Sequence, residues 1–334
     1  ILGYMYDNGE GVPEDDVEAI RWYRLAAEQG YANAQANLGF MYARGEGVPK
    51  EMRNMTEEEI KQIVKKRYGQ CVEAGGGKES CCSSGKATKN ISFAAEHTLY
   101  SKEELSLVPE ASLSFSKGCG NPTGFANLKS GEVVVDFGCG AGIDVILAAH
   151  KVGTKGQVIG VDFTDQMIEK AGQAVADSGL TASIELIVGD MEEVNLRDGF
   201  ADVVMSNCVI NLCADKDAVY SEAFRILKPG GRLAISDIIY IESIDSRVEE
   251  QFKSTWAGCV GGTIDKEKYF GIIRNAGFSE ISIVATHTLP STELESMVCC
   301  PGPEFTPTPA KEDIDSVLGK VASIKFIAIK PARI

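Results

Sequence analysis

Residues 133–142, VVVDFGCGAG, constrain the fold of this chain more than any other stretch. The first five residues are apolar except for Asp136, as is typical of a strand buried on both faces of a parallel sheet. Gly138, Gly140 and Gly142 follow at alternate positions, where a missing Cβ lets the backbone turn sharply and lie against a ligand. The pattern therefore predicts a strand, a ligand-binding loop and a helix in an open α/β sheet.

Two further apolar stretches are followed by acidic residues. Residues 157–161 predict a second strand, and Asp162 follows it at twenty positions beyond Gly142. That separation places an acid near the ribose hydroxyls in a mononucleotide-binding unit. Residues 184–188 predict a third strand, which is followed by Asp190 and Met191. The spacing favours a nucleoside-containing cofactor over glycines that serve only for packing.

The acid Asp136 before an evenly spaced G-x-G-x-G resembles the first motif of class I S-adenosylmethionine methyltransferases. The resemblance implies a Rossmann-like α/β sheet of about seven strands with a C-terminal extension, and S-adenosyl-L-methionine as cofactor. It implies that the methionine moiety lies over the glycine loop, the ribose at Asp162 and the adenine beside Asp190. The cofactor contacts that it implies are Asp136, Gly138, Cys139, Gly140, Gly142, Asp162, Phe163, Met167, Asp190, Met191 and Asn207.

The first fifty residues contain an internal repeat. Residues 2–13 recur as residues 38–49, with nine of twelve positions identical. Repetition at such a period indicates stacked helix pairs, and the sequence resembles the Sel-like branch of tetratricopeptide-related repeats. The resemblance implies an interaction module with a protein partner. Fewer than two units are present, whereas a solenoid needs about three. A clipped scaffold domain and a fusion remnant both stay open as interpretations.

Composition and segment boundaries complete the predicted organisation. We expect a helical repeat fragment at 1–51, a helix and cysteine-bearing arm at 52–122, an S-adenosylmethionine-binding core at 123–240 and a substrate-binding part at 241–334. The net charge of −15 argues against a nucleic-acid substrate. The sequence shows no apolar run long enough for a membrane span and no basic secretory signal, so we expect a cytoplasmic protein.

Ten cysteines in a chain without an export signal suggest reactive or metal-binding thiols rather than a disulfide framework. Cys119 lies in K-G-C-G-N-P, which predicts a rigid, exposed turn. Cys208 follows the fourth predicted strand, at the edge of the sheet where ligands bind. Cys259 lies in W-A-G-C-V-G-G, among glycines. Their strand-end or glycine-flanked positions make these three cysteines candidates for a functional role.

Around the cofactor motifs, these three segments resemble the arsenite methyltransferases over residues 52–334. The resemblance implies that Cys119, Cys208 and Cys259 bind trivalent arsenic as thiolates, and that Cys81 or Cys82 assists its capture. Thiolates suit a soft, thiophilic element. The implied substrate is arsenite or its thiol conjugates, and the implied reductant is a small-molecule thiol or a thioredoxin-type protein. The predicted reaction is methyl transfer to arsenic, and the predicted cellular role is arsenic detoxification.

Other functions remain open at this stage. A carbon or oxygen methyltransferase of the quinone-biosynthesis type would share the cofactor motifs without needing the thiols. A non-catalytic arsenic-binding or scaffold protein would use the repeat or the thiols alone. A structural zinc site would be expected to show C-x-x-C pairs, and the sequence contains none. A Ser-His-Asp hydrolase is disfavoured because the three histidines are scattered and no G-x-S-x-G motif occurs.

Overall fold

The computed structural model describes residues 2–27, 31, 33–34, 37, 41, 56–73, 99–113, 115, 118–180, 183–253, 260–298 and 311–332. The chain divides into two compact units, residues 1–59 and residues 60–334. The sequence places the first boundary at residue 51, which lies outside the described residues. Among the described helices, none is both long and apolar enough to cross a membrane.

The first unit contains a helical hairpin with its own small core. Helix α1 spans Leu2–Asn8 and helix α2 spans Asp16–Ala27. Ile20 and Tyr23, which lie about one helical turn apart on α2, are buried in this core. Gly3 faces Tyr23 so closely that a Cβ there would lie 2.7 Å from the ring. The packing of this pair therefore requires a glycine.

Within the described residues of the second unit, the strands form one seven-stranded sheet in the order β3-β2-β1-β4-β5-β7-β6. Strands β1 to β5 are parallel to one another, and β7 lies antiparallel between β5 and β6. This confirms the predicted Rossmann-like sheet. The strands are β1 Val133–Phe137, β2 Gln157–Asp162, β3 Ile184–Val188, β4 Ala201–Asn207, β5 Leu227–Tyr240, β6 Ser279–Thr288 and β7 Val321–Ile329.

Helices cover both faces of this sheet, which explains the continuous apolar runs of its central strands. Helix α3, at Glu57–Glu73, begins with a capping box. The Glu59 backbone N–H donates to Thr56 Oγ1 at 3.3 Å, and the Thr56 N–H donates to Glu59 Oε2 at 2.7 Å. The others are α4 Lys102–Ser106, α5 Glu110–Leu113, α6 Pro122–Phe125, α7 Ile143–Val152, α8 Asp165–Ser178, α9 Lys216–Ile226, α10 Ser246–Lys253, α11 Lys266–Asn275, α12 Ser291–Val298 and α13 Lys311–Ser316.

Candidate active site

A cleft opens at the carboxyl ends of β1 and β4, where the order of the parallel strands reverses direction. Ligands of open α/β sheets bind at this kind of switch point. The cleft contains about 720 Å³ of space that atoms do not fill, including its open mouth. Its wall includes eight of the residues expected at the cofactor, namely Asp136, Gly138, Cys139, Gly140, Asp162, Phe163, Met167 and Asn207.

The glycine loop lines the cleft with backbone rather than side chains. Gly140 has a φ of +50°, and a Cβ built on it would meet no described atom within 4 Å. Gly138, with a φ of +73°, lies so close to Val209 that a Cβ would be 2.5 Å from its methyl groups. A left-handed φ and close approach both require glycine. The loop thus leaves open space beside Gly140 for a ligand.

Two acidic side chains behind this loop shape its electrostatics. Asp162 fixes the loop, since its Oδ2 accepts from the Gly140 N–H at 3.0 Å and its Oδ1 from the Thr164 N–H at 2.9 Å. Asp136 is buried, and its Oδ2 has no hydrogen-bond partner among the described residues. Burial, together with the charges of Asp144 and Asp162, raises the pKa of Asp136. A buried acceptor of this kind needs a donor, which a bound ligand can supply.

The loop carrying Cys119 packs against the ends of β4 and β5. A Cβ on Gly118 would lie 2.6 Å from Asn207 Cγ, and a Cβ on Gly120 would lie 2.6 Å from Ser236 Cβ. Cys119 is therefore only 4% exposed. The expectation of an exposed turn is wrong, because the flanking glycines let the backbone approach the sheet instead of turning outward.

Cys119 and Cys208 both contact Ser236 on β5. Cys119 Sγ lies 3.6 Å from Ser236 Oγ, and the Cys208 N–H donates to the Ser236 carbonyl at 2.8 Å. Cys208 also lines the cleft and has a φ of +62°, which is uncommon for a residue with a side chain. Both cysteines belong to one cluster of buried side chains that includes Val260. The fold therefore gathers two predicted arsenic ligands beside the cleft.

Cys259, Cys81 and Cys82 lie outside the described residues. The residues that follow Cys259 are described. Val260 packs in the same cluster as Cys119 and Cys208, and a Cβ on Gly262 would lie 2.8 Å from the Asn211 carbonyl carbon. The chain directly after Cys259 thus packs in the cluster that contains the other two cysteines.

Residues 128–277 match the model of a methyltransferase domain family, and residues 1–31 and 32–54 match the Sel1 repeat. An arsenite methyltransferase from Halobacterium salinarum is 33% identical over 288 residues, which cover 83% of this chain and 68% of that protein. This chain belongs to the arsenite methyltransferase family. The human arsenite methyltransferase is 32% identical over 175 residues, and the match covers 49% of this chain and 46% of the human protein.

The crystal structure of an arsenic(III) S-adenosylmethionine methyltransferase from Chlamydomonas reinhardtii is also similar. It shares 28% identity with a TM-score of 0.57 over 69% of this chain and 72% of that one. S-adenosylmethionine is the cofactor of this methyltransferase fold, and the cleft fits it. Three features suit a ligand with an ammonium group and ribose hydroxyls: the open space beside Gly140, the Asp136 oxygen that no described residue bonds, and the acid Asp162.

Three residues expected at the cofactor are not among those that line the cleft. Gly142, with a φ of +87°, begins α7 and packs on Ala171. Asp190 forms an ion pair with Lys61 of α3, with 2.7 Å between Oδ2 and Nζ. Met191 is buried, and its sulfur lies 3.4 Å from Cys213 Sγ. Their assignment to the cofactor stays a prediction.

The sequence patterns did not predict several residues of the cleft wall, namely Tyr68, Tyr100, Ser112, Phe115, Asp144 and Thr164. Asp144 follows the glycine loop directly and could have been found by its position. Tyr100 donates to Asp144, with 3.1 Å from its hydroxyl to each carboxylate oxygen. No local pattern marks Tyr100 or Tyr68, since both reach the cleft from segments that precede the sheet.

We expect the affinity for S-adenosylmethionine to rise about 10-fold between about pH 5 and pH 7. Burial raises the pKa of Asp144 to about 6, while hydrogen bonds from Asn207 and Tyr100 oppose the rise. In the ligand-free protein, protonated Asp144 contributes to the free energy of unfolding. This contribution is lost as the pH rises through the pKa, because the buried carboxylate is poorly solvated. A cationic ligand favours the ionised form. Calorimetric titration across this range should show the dependence, and Asp144→Asn should flatten it; an unchanged slope in that variant would contradict the assignment.

Proposed function

We propose that this protein transfers a methyl group from S-adenosylmethionine to trivalent arsenic held by the thiolates of Cys119, Cys208 and Cys259. The observation that carries the proposal is the pair Cys119 and Cys208, which lie in one buried cluster beside the cofactor cleft and both contact Ser236, Cys119 through its thiol and Cys208 through its backbone N–H. The chain spans 68% of its archaeal relative and about half the length of two other curated arsenite methyltransferases. The activity of the whole protein therefore belongs to this proposal.

Capture of arsenite by the cysteines needs no separate base. Each thiol replaces one arsenite hydroxyl, an arsenic–sulfur bond forms, and the thiol proton leaves with the hydroxyl as water. Soft thiolates hold arsenic more tightly than carboxylates or imidazoles would. Three sulfur ligands leave the arsenic lone pair in the remaining pyramidal direction.

S-adenosylmethionine, when bound, supplies a methyl group on a positively charged sulfur, and arsenic supplies the lone pair that accepts it. The protein contributes position and a dry environment. Cys208 belongs both to the cleft wall and to the buried cluster, so it holds arsenic at the boundary between the two. Ile238, Leu289 and Val321 of that cluster are buried and apolar, which keeps water away from the reacting atoms.

The cellular role that we propose is arsenic detoxification in the cytoplasm. Methylation raises arsenic formally from the trivalent to the pentavalent state, so a further cycle needs two electrons from a thiol or a thioredoxin-type reductant. Cys81 or Cys82 would capture arsenite first. The Sel1 repeats would bind a protein partner, because repeats of this kind present extended binding surfaces.

Product analysis by mass spectrometry tests the proposal. The purified protein, incubated with labelled S-adenosylmethionine, arsenite and a thiol reductant, should give methylated arsenic carrying the label. Omitting arsenite is the control, and it should give no labelled arsenical. If arsenite binds without any methylated product, the protein is an arsenic-binding module. If the donor binds but arsenite does not, a carbon or oxygen methyltransferase becomes the better interpretation.

A further inference from the structure

We propose that Asn207 is a positioning residue that couples the two substrate sites, so that methyl-donor binding and arsenite binding strengthen each other. The inference rests on the proposed function. It concerns a side chain at the carboxyl end of β4, immediately before Cys208, that forms hydrogen bonds with both sites.

On one side, the Asn207 amide holds the loop that carries Cys119. Its Oδ1 accepts from the Gly120 N–H at 3.1 Å, and its Nδ2 donates to the Gly120 carbonyl at 2.9 Å. Gly118 packs against the same amide, where a Cβ would lie 2.6 Å from Asn207 Cγ. The backbone on both sides of Cys119 thus contacts this one side chain, while Ser323 Oγ of β7 donates to the Cys119 carbonyl at 2.9 Å.

On the other side, the same amide forms part of the donor cleft. Asn207 Nδ2 lies 3.0 Å from the Tyr100 hydroxyl and 3.0 Å from Asp144 Oδ2, and all three residues line the cleft. Tyr100 and Asp144 are also hydrogen-bonded to each other at 3.1 Å. A ligand that reaches this wall therefore contacts the network that holds Asn207.

Asn207 Nδ2 has fewer hydrogens than nearby acceptors, which makes the two sides interdependent. A primary amide nitrogen carries two hydrogens, whereas Asn207 Nδ2 faces three acceptors: the Gly120 carbonyl, the Tyr100 hydroxyl and Asp144. The cleft acceptors therefore compete with the Cys119 loop for these hydrogens. A donor molecule whose ammonium group neutralises Asp144 leaves a hydrogen for the Gly120 carbonyl and stabilises the Cys119 loop, and S-adenosylhomocysteine carries the same ammonium group. By thermodynamic linkage, arsenic that fixes this loop must raise donor affinity by the same factor.

The test measures arsenite affinity by calorimetry in a phosphine-reduced sample, with and without saturating S-adenosylhomocysteine, which cannot donate a methyl group. We expect the affinity of the unmodified protein to rise about 10-fold with the cleft filled, within the usual range of coupling between sites. The reverse titration, S-adenosylhomocysteine with and without arsenite, must give the same factor. In Asn207→Ala this factor should fall to about 1 even where each ligand alone binds more weakly, a loss of coupling that general destabilisation would not produce.

Tyr100→Phe gives a second variant, because it removes one acceptor of Asn207 Nδ2 and should change the coupling factor at least about 3-fold. Tyr220→Phe is the matched control: Tyr220 is equally buried, but its hydroxyl lies 2.6 Å from that of Tyr269, and the factor should stay unchanged. A factor of 1 in the unmodified protein, or an unaltered factor in Asn207→Ala, overturns the coupling. If Asn207→Ala does not fold, an unaltered factor in Tyr100→Phe overturns it. Failure of the unmodified protein to bind arsenite at all would instead overturn the proposed function.

Discussion

Changing Cys208 to serine should lower the rate of arsenite methylation at least about 100-fold, equivalent to about 2.7 kcal/mol of activation free energy. A serine hydroxyl has nearly the same shape as the thiol, but it is a hard ligand that binds trivalent arsenic poorly. Cys208 lines the cleft and lies in the buried cluster with Cys119, so the substitution removes the proposed arsenic ligand that borders the cofactor cleft. Single-turnover reactions analysed by mass spectrometry measure the effect.

The affinity for S-adenosylhomocysteine distinguishes the loss of an arsenic ligand from damage to the cofactor cleft. S-adenosylhomocysteine should bind Cys208→Ser within about 3-fold of its normal affinity, because the size of the wall residue barely changes. Cys213→Ser is the matched control. The Cys213 thiol contacts the sulfur of buried Met191, and burial raises its pKa to about 12, so it is a poor arsenic ligand. Equal losses in both variants would contradict the assignment of Cys208.

Changing Gly120 to alanine should lower arsenite affinity at least about 10-fold and the free energy of unfolding by about 1–3 kcal/mol. The new Cβ would lie 2.6 Å from Ser236 Cβ, well inside van der Waals contact. The loop must therefore move away from β5 and take Cys119 with it. Calorimetric titration with arsenite and denaturant unfolding measure the two effects.

A double-mutant cycle with Ser236→Gly identifies the cause. Ser236→Gly removes the atoms that the new methyl group would meet first, and the next neighbour is the flexible end of Lys325 at 3.3 Å. The single Ser236→Gly change carries its own cost, since glycine weakens a strand and the Cys119 contact is lost. The double variant should nevertheless bind arsenite better than Gly120→Ala alone, a non-additivity expected of residues in contact. Strictly additive losses would show that the clash with Ser236 is not the cause.

The fold was largely predictable, because each strand of the core carries its own signal. Residues 133–137 are apolar and are followed by glycines, and the resulting strand and loop lie where the pattern predicts. The second strand is equally clear, and it ends at Asp162, which lines the cleft. The L-K-P-G-G segment was less clear, since its proline and glycines suggest a turn. It instead begins β5, where Leu227 pairs with Ala201 before the register shifts.

By itself, the sequence determined the sheet, the glycine loop, and the identity and spacing of the cysteines, because these depend on local apolar periodicity and on residue type. Only the tertiary structure decided which distant side chains meet. It brings Cys119 to Ser236, extends the cleft wall to Tyr100, joins Asp190 to Lys61, and places the Asn207 amide between the Cys119 loop and the cleft. Such contacts depend on how closely neighbouring backbones approach and on which buried polar groups need partners. Neither property produces a periodic pattern in the sequence.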